Sequence, residues 1–197
     1  MRLLRMMALM LIAVLMAACG VGPESEPRPL PVGDEEAVVA DPAAPNGRAG
    51  ALVELWFIQE DQLVPVNRTS ETTLSEEQKV EALEAGPTTS EAAQGLRTAL
   101  RPVIPDEPLV VTAAASGLSV PVEPDQIAVV LNPGFTQVPS QEQLLILGQV
   151  VGTLSQSPAS SIVFVDEQGS PVGVPLPNGR LTSEPVRAVD YAPLMTG

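Results

Sequence analysis

The chain has 197 residues, a formal net charge of -14, no histidine, a single cysteine (Cys19) and a single lysine (Lys79). That length holds one ordinary domain with flanking segments. Without histidine there is no Ser-His-Asp triad, Cys-His dyad or His-ligated metal. One cysteine makes neither an internal disulfide nor a structural zinc site. Twenty-four acids against ten bases leave no basic footprint for nucleic acid.

Residues 1–19 read as an address. Arg2 and Arg5 form a positive start, and residues 6–18 are uncharged. A membrane span needs about 20 apolar residues, so this is a signal h-region instead. The run ends in Met16-Ala17-Ala18-Cys19. This resembles the lipobox of bacterial lipoproteins, with Met16 where leucine is usual. The resemblance implies a signal peptide over 1–18, removal after Ala18, and acylation of Cys19, palmitate included. Two acyl chains hold a protein stably on a bilayer where one does not. The implied location is the extracytoplasmic face of the cell membrane, lipid-anchored. The other reading is an ordinary secretory signal in which Cys19 is incidental.

Residues 19–50 contain six prolines, six acids, two arginines and no aromatic residue. Such a stretch cannot bury enough apolar area to offset its ordering entropy, which predicts a disordered tether. Fully extended it reaches about 100 Å. As a flexible coil it averages about 30 Å end to end. A short arm packed on the domain is the other possibility.

The domain is predicted over 51–176, with a C-terminal loop over 177–197. From residue 51 onward there are six bases and eighteen acids, a net of -12. An anionic leaflet repels such a domain, so lipid and not surface charge must do the anchoring. Residues 52–58 and 63–66 read as a hairpin with a four-residue connection, and Pro65 marks its second strand as a sheet edge. Residues 73–85 read as a helix, with Ser75 as N-cap and Gly86-Pro87 as the stop. Ser90 caps a second short helix that ends at Gly95, in a left-handed conformation. Strands follow at 109–115 and 126–131, then a turn at Asn132-Pro133-Gly134. Residues 140–156 form the strongest helix: Ser140 and Gln143 make a capping box. Leu144, Leu147, Val151 and Leu154 share one face, broadened by Ile146 and Val150. Residues 161–166 read as a strand and 171–174 as its return. This order gives an α+β fold, a small, mostly antiparallel sheet with two main helices on one face.

Three blocks in this region resemble the sporulation and germination domain family called GerMN. The first is Leu83-Glu84-Ala85-Gly86-Pro87-Thr88 with Gly95-Leu96-Arg97-Thr98-Ala99-Leu100. The second is Val129-Val130-Leu131-Asn132-Pro133-Gly134-Phe135, in which Val130 and Asn132 replace the family's Asp and Ser. The third is Gln149-Val150-Val151-Gly152-Thr153-Leu154-Ser155-Gln156, followed by a strand and Gly169. The resemblance implies a compact extracytoplasmic α+β module, frequent on lipoproteins and tied to envelope work. It brings no catalytic residues.

Few residues invite chemistry. Arg97, scarce as a cation here, is a candidate to hold an anionic partner group; a surface ion pair is the competing role. Trp56 and Phe57 are adjacent on a strand, so one faces the core and the other is a candidate partner contact. Gln149 and Thr153 read as structural, the first satisfying a buried backbone group, the second bonding to its own helix or packing. Lys79, among Glu76, Glu77 and Glu81, reads as charged and solvated, which speaks against a Ser-Lys hydrolase. Asp166 and Glu167 read as solvated turn acids, and Asn67-Arg68-Thr69 as a chance glycosylation pattern. No catalytic residue, metal site or cofactor is expected. The expected function is a non-catalytic interaction or scaffold component of a cell-envelope process, with an envelope protein as partner. The alternative is a lipoprotein receptor for a small extracellular ligand.

Overall fold

The computed structural model describes residues 50–104, 107–155, 157 and 159–196. The signal peptide, Cys19 and the tether expected over 19–50 fall outside them, apart from Gly50.

Strands β1 (Ala51–Gln59) and β2 (Gln62–Ser70) form an antiparallel hairpin in which Trp56 faces Pro65. The connection is two residues and not the four expected. Glu60 (φ 50°) and Asp61 (φ 63°) both take left-handed backbone, the geometry whose twist matches the flanking strands. A tighter turn lets each strand run to nine residues. Ile58 exchanges both backbone bonds with Arg97, on the side away from β2. By alternation Trp56 also points its amide outward, so Pro65 across from it has no ladder bond to lose.

Helix α1 (Glu76–Ala85) starts after the expected cap, Ser75, later than the expected residue 73, and stops at Gly86 (φ +81°) as expected; Gln78 completes a capping box with Ser75, an addition to the expected cap. Helix α2 (Thr89–Ala93) is capped by Thr88 instead of the expected Ser90. Glu91 decides this, because its carboxylate reaches back to the Thr88 amide at 2.7 Å and completes the box. Gly95 follows at φ +88°.

Strand β3 (Val110–Thr112) is shorter than the predicted 109–115. Thr112 Oγ1 accepts from the Ala115 amide at 3.2 Å, turning the chain out of the sheet. Strand β4 (Gln126–Leu131) lies where predicted, and Pro133–Gln137 then forms a 3-10 helix. Helix α3 (Ser140–Leu154) has Pro139 at its N-cap and no capping box. The Gln143 side chain donates instead to the carbonyls of Val138 (2.9 Å) and Phe135 (3.3 Å). Strand β5 (Ser161–Val165) runs parallel to β4 and antiparallel β3 lies on its other side, giving the order β3-β4-β5.

The chain is α+β, with α1 and α3 as its main helices. Among the described residues the pairing is mostly antiparallel but divided among three separate sheets, with β4 and β5 as the parallel exception. Helix α3 packs against β1, β2, β5 and α1. That is why it buries almost every residue from Leu145 to Leu154 and not one stripe.

The segment 177–197, expected as loop, belongs to the body. Strand β6 (Val174–Pro175) pairs with β7 (Leu181–Thr182). Val186 exchanges backbone bonds with Ile162 at the free edge of β5. The 3-10 helix Ala188–Leu194 carries Tyr191, which is fully buried and donates to the Pro175 carbonyl at 3.0 Å. The prolines that signal a loop here sit between and inside these short elements.

Candidate functional site

Three of the polar residues singled out in the sequence, Arg97, Gln149 and Thr153, gather on the outer edge of β1. The Ile58–Arg97 bridge sets an antiparallel register in which Trp56 and Ala99 form the next pair. That pair never closes. The Gln149 carboxamide stands between them, with Nε2 donating to the Trp56 carbonyl at 2.9 Å and Oε1 accepting from the Ala99 amide at 2.8 Å. One turn later Thr153 Oγ1 accepts from the Trp56 amide at 3.0 Å. Side chains of α3 thus substitute for a neighbouring strand. The expectation for Gln149 holds; Thr153 bonds across to β1.

Arg97 lies beside this joint. Its Nη1 donates to both Glu142 carboxylate oxygens at 3.0 and 3.2 Å, and Nη2 to Asp61 at 3.1 Å. The guanidinium therefore already carries two carboxylates and ties the hairpin turn to α3, the ion-pair alternative. A shallow recess of about 530 Å³ opens next to it, past Thr98, Val103 and Val138.

Phe57 is the core-facing member of the aromatic pair. Trp56 is half-buried on the opposite face, with Nε1 donating to Glu54 at 3.0 Å. It lies on α3 at Gly152, where an added Cβ would sit 2.8 Å from the indole Cγ. Its exposed part borders the site, and its buried part packs on α3.

On the other face of the hairpin, Arg68 stacks 4.9 Å from the centre of the Phe57 ring. It donates to Glu91 through Nε (3.1 Å) and Nη2 (2.5 Å), and to the Gly86 carbonyl at 3.1 Å. The Arg68 bonds hold the Glu91 carboxyl down at about 2, helped by the Thr88 amide and hydroxyl, while burial opposes them.

Lys79 departs from expectation. The residue is only 5% exposed, recessed in a cavity instead of standing free on the surface. Burial pushes its ammonium below the usual lysine range, against the pull of Glu76. Among the described residues it has no ion pair or hydrogen bond. It lines a cavity of about 270 Å³ walled by β1, β2, Thr73 and the end of α3. Ser155, at the α3 C-cap, is on the same wall, and its Oγ is buried with no hydrogen-bond partner. Sequence reasoning missed this site because its walls come from four separated segments. The one available signal was that the chain's lone lysine sits next to two residues, Val80 and Leu83, on the apolar face of α1.

Asp166 Oδ1 accepts from the amides of Gln168 (2.9 Å) and Ser170 (2.8 Å), which makes it a turn-former. Among the described residues no three Asp, Glu, His or Cys side chains are grouped to hold a metal. No described helix is long and apolar enough to cross a membrane.

No family profile matches the chain, and no curated protein does. Among solved structures, the chain is similar to the tandem GerMN domains of the sporulation protein GerM from Bacillus subtilis. That similarity has a TM-score of 0.47 and 16% identity, and covers 71% of this chain but 45% of the other. It is also similar to the first GerMN domain of the same protein. Here the TM-score is 0.45 and identity 17%, over 68% of this chain and 99% of the other. The domain so named is the one that the sequence blocks resemble.

Proposed function

We propose that the protein is a lipid-anchored extracytoplasmic module of the GerMN kind, a non-catalytic interaction component of a cell-envelope process such as sporulation or germination. The observation that carries this reading is the joint at Trp56. Two of the three sequence blocks meet there, Ala99 from the first and Gln149 and Thr153 from the third. Their polar atoms answer backbone groups inside the fold, so what the blocks share is the work of holding the module together. Anchoring rests on the lipobox at Cys19, and the net charge of -12 over the domain favours a tethered position over flat docking on anionic lipid. Metabolic palmitate labelling with membrane fractionation tests the anchor. Label and membrane association lost in Cys19→Ala support it; an unlabelled, soluble wild type contradicts it.

The cavity at Lys79 favours a second reading, reception of a small extracellular ligand. It is smaller and more polar than the pockets that hold drug-sized molecules, and it presents a lysine that has no ion pair among the described residues.

A further inference from the structure

We propose that the cavity between the open end of the β1–β2 hairpin, α1 and the end of α3 binds a small anionic group, a carboxylate or a phosphate, with Lys79 as its counter-ion. The inference rests on the receptor reading and names the chemistry of its ligand.

Lys79 is a recessed cation: the residue is 5% exposed and lines the cavity, and among the described residues it has no ion pair or hydrogen bond. A cation held in a recess is stabilised by an anion that enters it. Glu76 acts on it through space but forms no ion pair with it. Glu54, the acid on the cavity wall, accepts from Trp56 Nε1. Asn67 and Thr73 add an amide and a hydroxyl to the same wall. Ser155 lines the same wall, and its hydroxyl is buried with no hydrogen-bond partner among the described residues, where buried polar atoms are paired in the great majority of cases. A volume of about 270 Å³ holds about nine waters, the size of a phosphate or a small carboxylic acid with its solvent. Ser155 Oγ is sealed from solvent, so acyl transfer is not part of the proposal.

Lys79 is the only lysine, so the full-length chain in detergent, labelled with 13C-lysine, gives one Cε signal that needs no assignment. Inorganic phosphate, acetate, glucose and methylammonium are titrated in turn at constant ionic strength. The proposal expects a saturable shift with phosphate or acetate, and the one that saturates at lower concentration identifies the source. In Lys79→Met the thermal stabilisation by that anion should weaken more than about tenfold, while Arg97→Met keeps it. Saturation by glucose or methylammonium without either anion overturns the anion assignment and leaves the receptor reading standing. Saturation by none of the four overturns both.

Discussion

Gln149 Nε2 donates to the carbonyl of Trp56 at 2.9 Å, at the point where β1 leaves its bridge with Arg97. The same carboxamide accepts from Ala99, and the residue is fully buried. A helix side chain thereby completes a ladder that the backbone leaves open. Gln149→Leu removes both bonds and strands two backbone groups. At about 1–3 kcal/mol for each unsatisfied group, the expected loss is about 2–6 kcal/mol in urea unfolding. A loss under about 0.5 kcal/mol, within the range of a neutral surface change, contradicts the role.

Gly152 allows Trp56 to lie on α3. An added Cβ would meet the indole at 2.8 and 2.9 Å and Met195 Cε at 3.1 Å. The ring cannot bend away as a flexible chain end does, so Gly152→Ala should cost about 1–3 kcal/mol despite its gain in helix propensity. Trp56 is the only tryptophan, and its emission should move to longer wavelength as the ring is displaced.

Glu91 makes stability depend on acid. Its folded value of about 2 lies below the ordinary 4.5. The unfolded chain therefore takes up the proton first as pH falls. The contribution is complete above about pH 4.5 and is lost as pH drops toward about 2. Partial solvent access, at 25% and 15% of the two side chains, trims it to about 1–2 kcal/mol. Glu91→Gln should flatten the stability profile in that window and leave it unchanged in shape above pH 5.

Lys79 should destabilise the fold where Glu91 stabilises it. Burial lowers its folded value, so below that value the folded state bears a charge that the unfolded chain carries at less cost. Stability rises with pH through the interval between the folded and unfolded values. Lys79→Met removes the penalty and should raise stability at pH 7 in urea unfolding. A stabilised variant that no longer responds to anions would mark the lysine as kept for binding and not for folding.

Tyr191 tests whether the C-terminal segment is structural. Tyr191→Phe deletes its bond to Pro175 and should cost about 1 kcal/mol. Tyr191→Ala opens a cavity under α3 and should cost about 3–5 kcal/mol. Near-wild-type unfolding of the Ala variant would return residues 188–196 to the status of a tail.

What was legible in the sequence had local causes. The Ser75 cap, the Gly86 stop, β4 and α3 follow from neighbouring residues, and all four stand where the pattern places them. What was not legible came from partners distant in the chain. The C-terminal segment reads as loop because its strands have two residues each and its anchor, Tyr191, is a single side chain. Thr88 displaces Ser90 as a cap because Glu91 answers Thr88 and Arg68 together. Lys79 reads as solvated from its acidic neighbours on α1, yet β1 and α3 cover it. Arg97 was visible as a scarce cation; that Asp61 and Glu142 hold it depends on how the hairpin docks.

The central claim is that a lipid-anchored module works through a protein partner in the envelope. Crosslinking the lipidated protein in intact cells, with Cys19→Ala as the mislocalised control, tests it most directly. The account predicts a defined envelope protein that is recovered reproducibly with the wild type and lost with Cys19→Ala. Recovery of lipid or small molecules alone, or the same protein set from both, would contradict it.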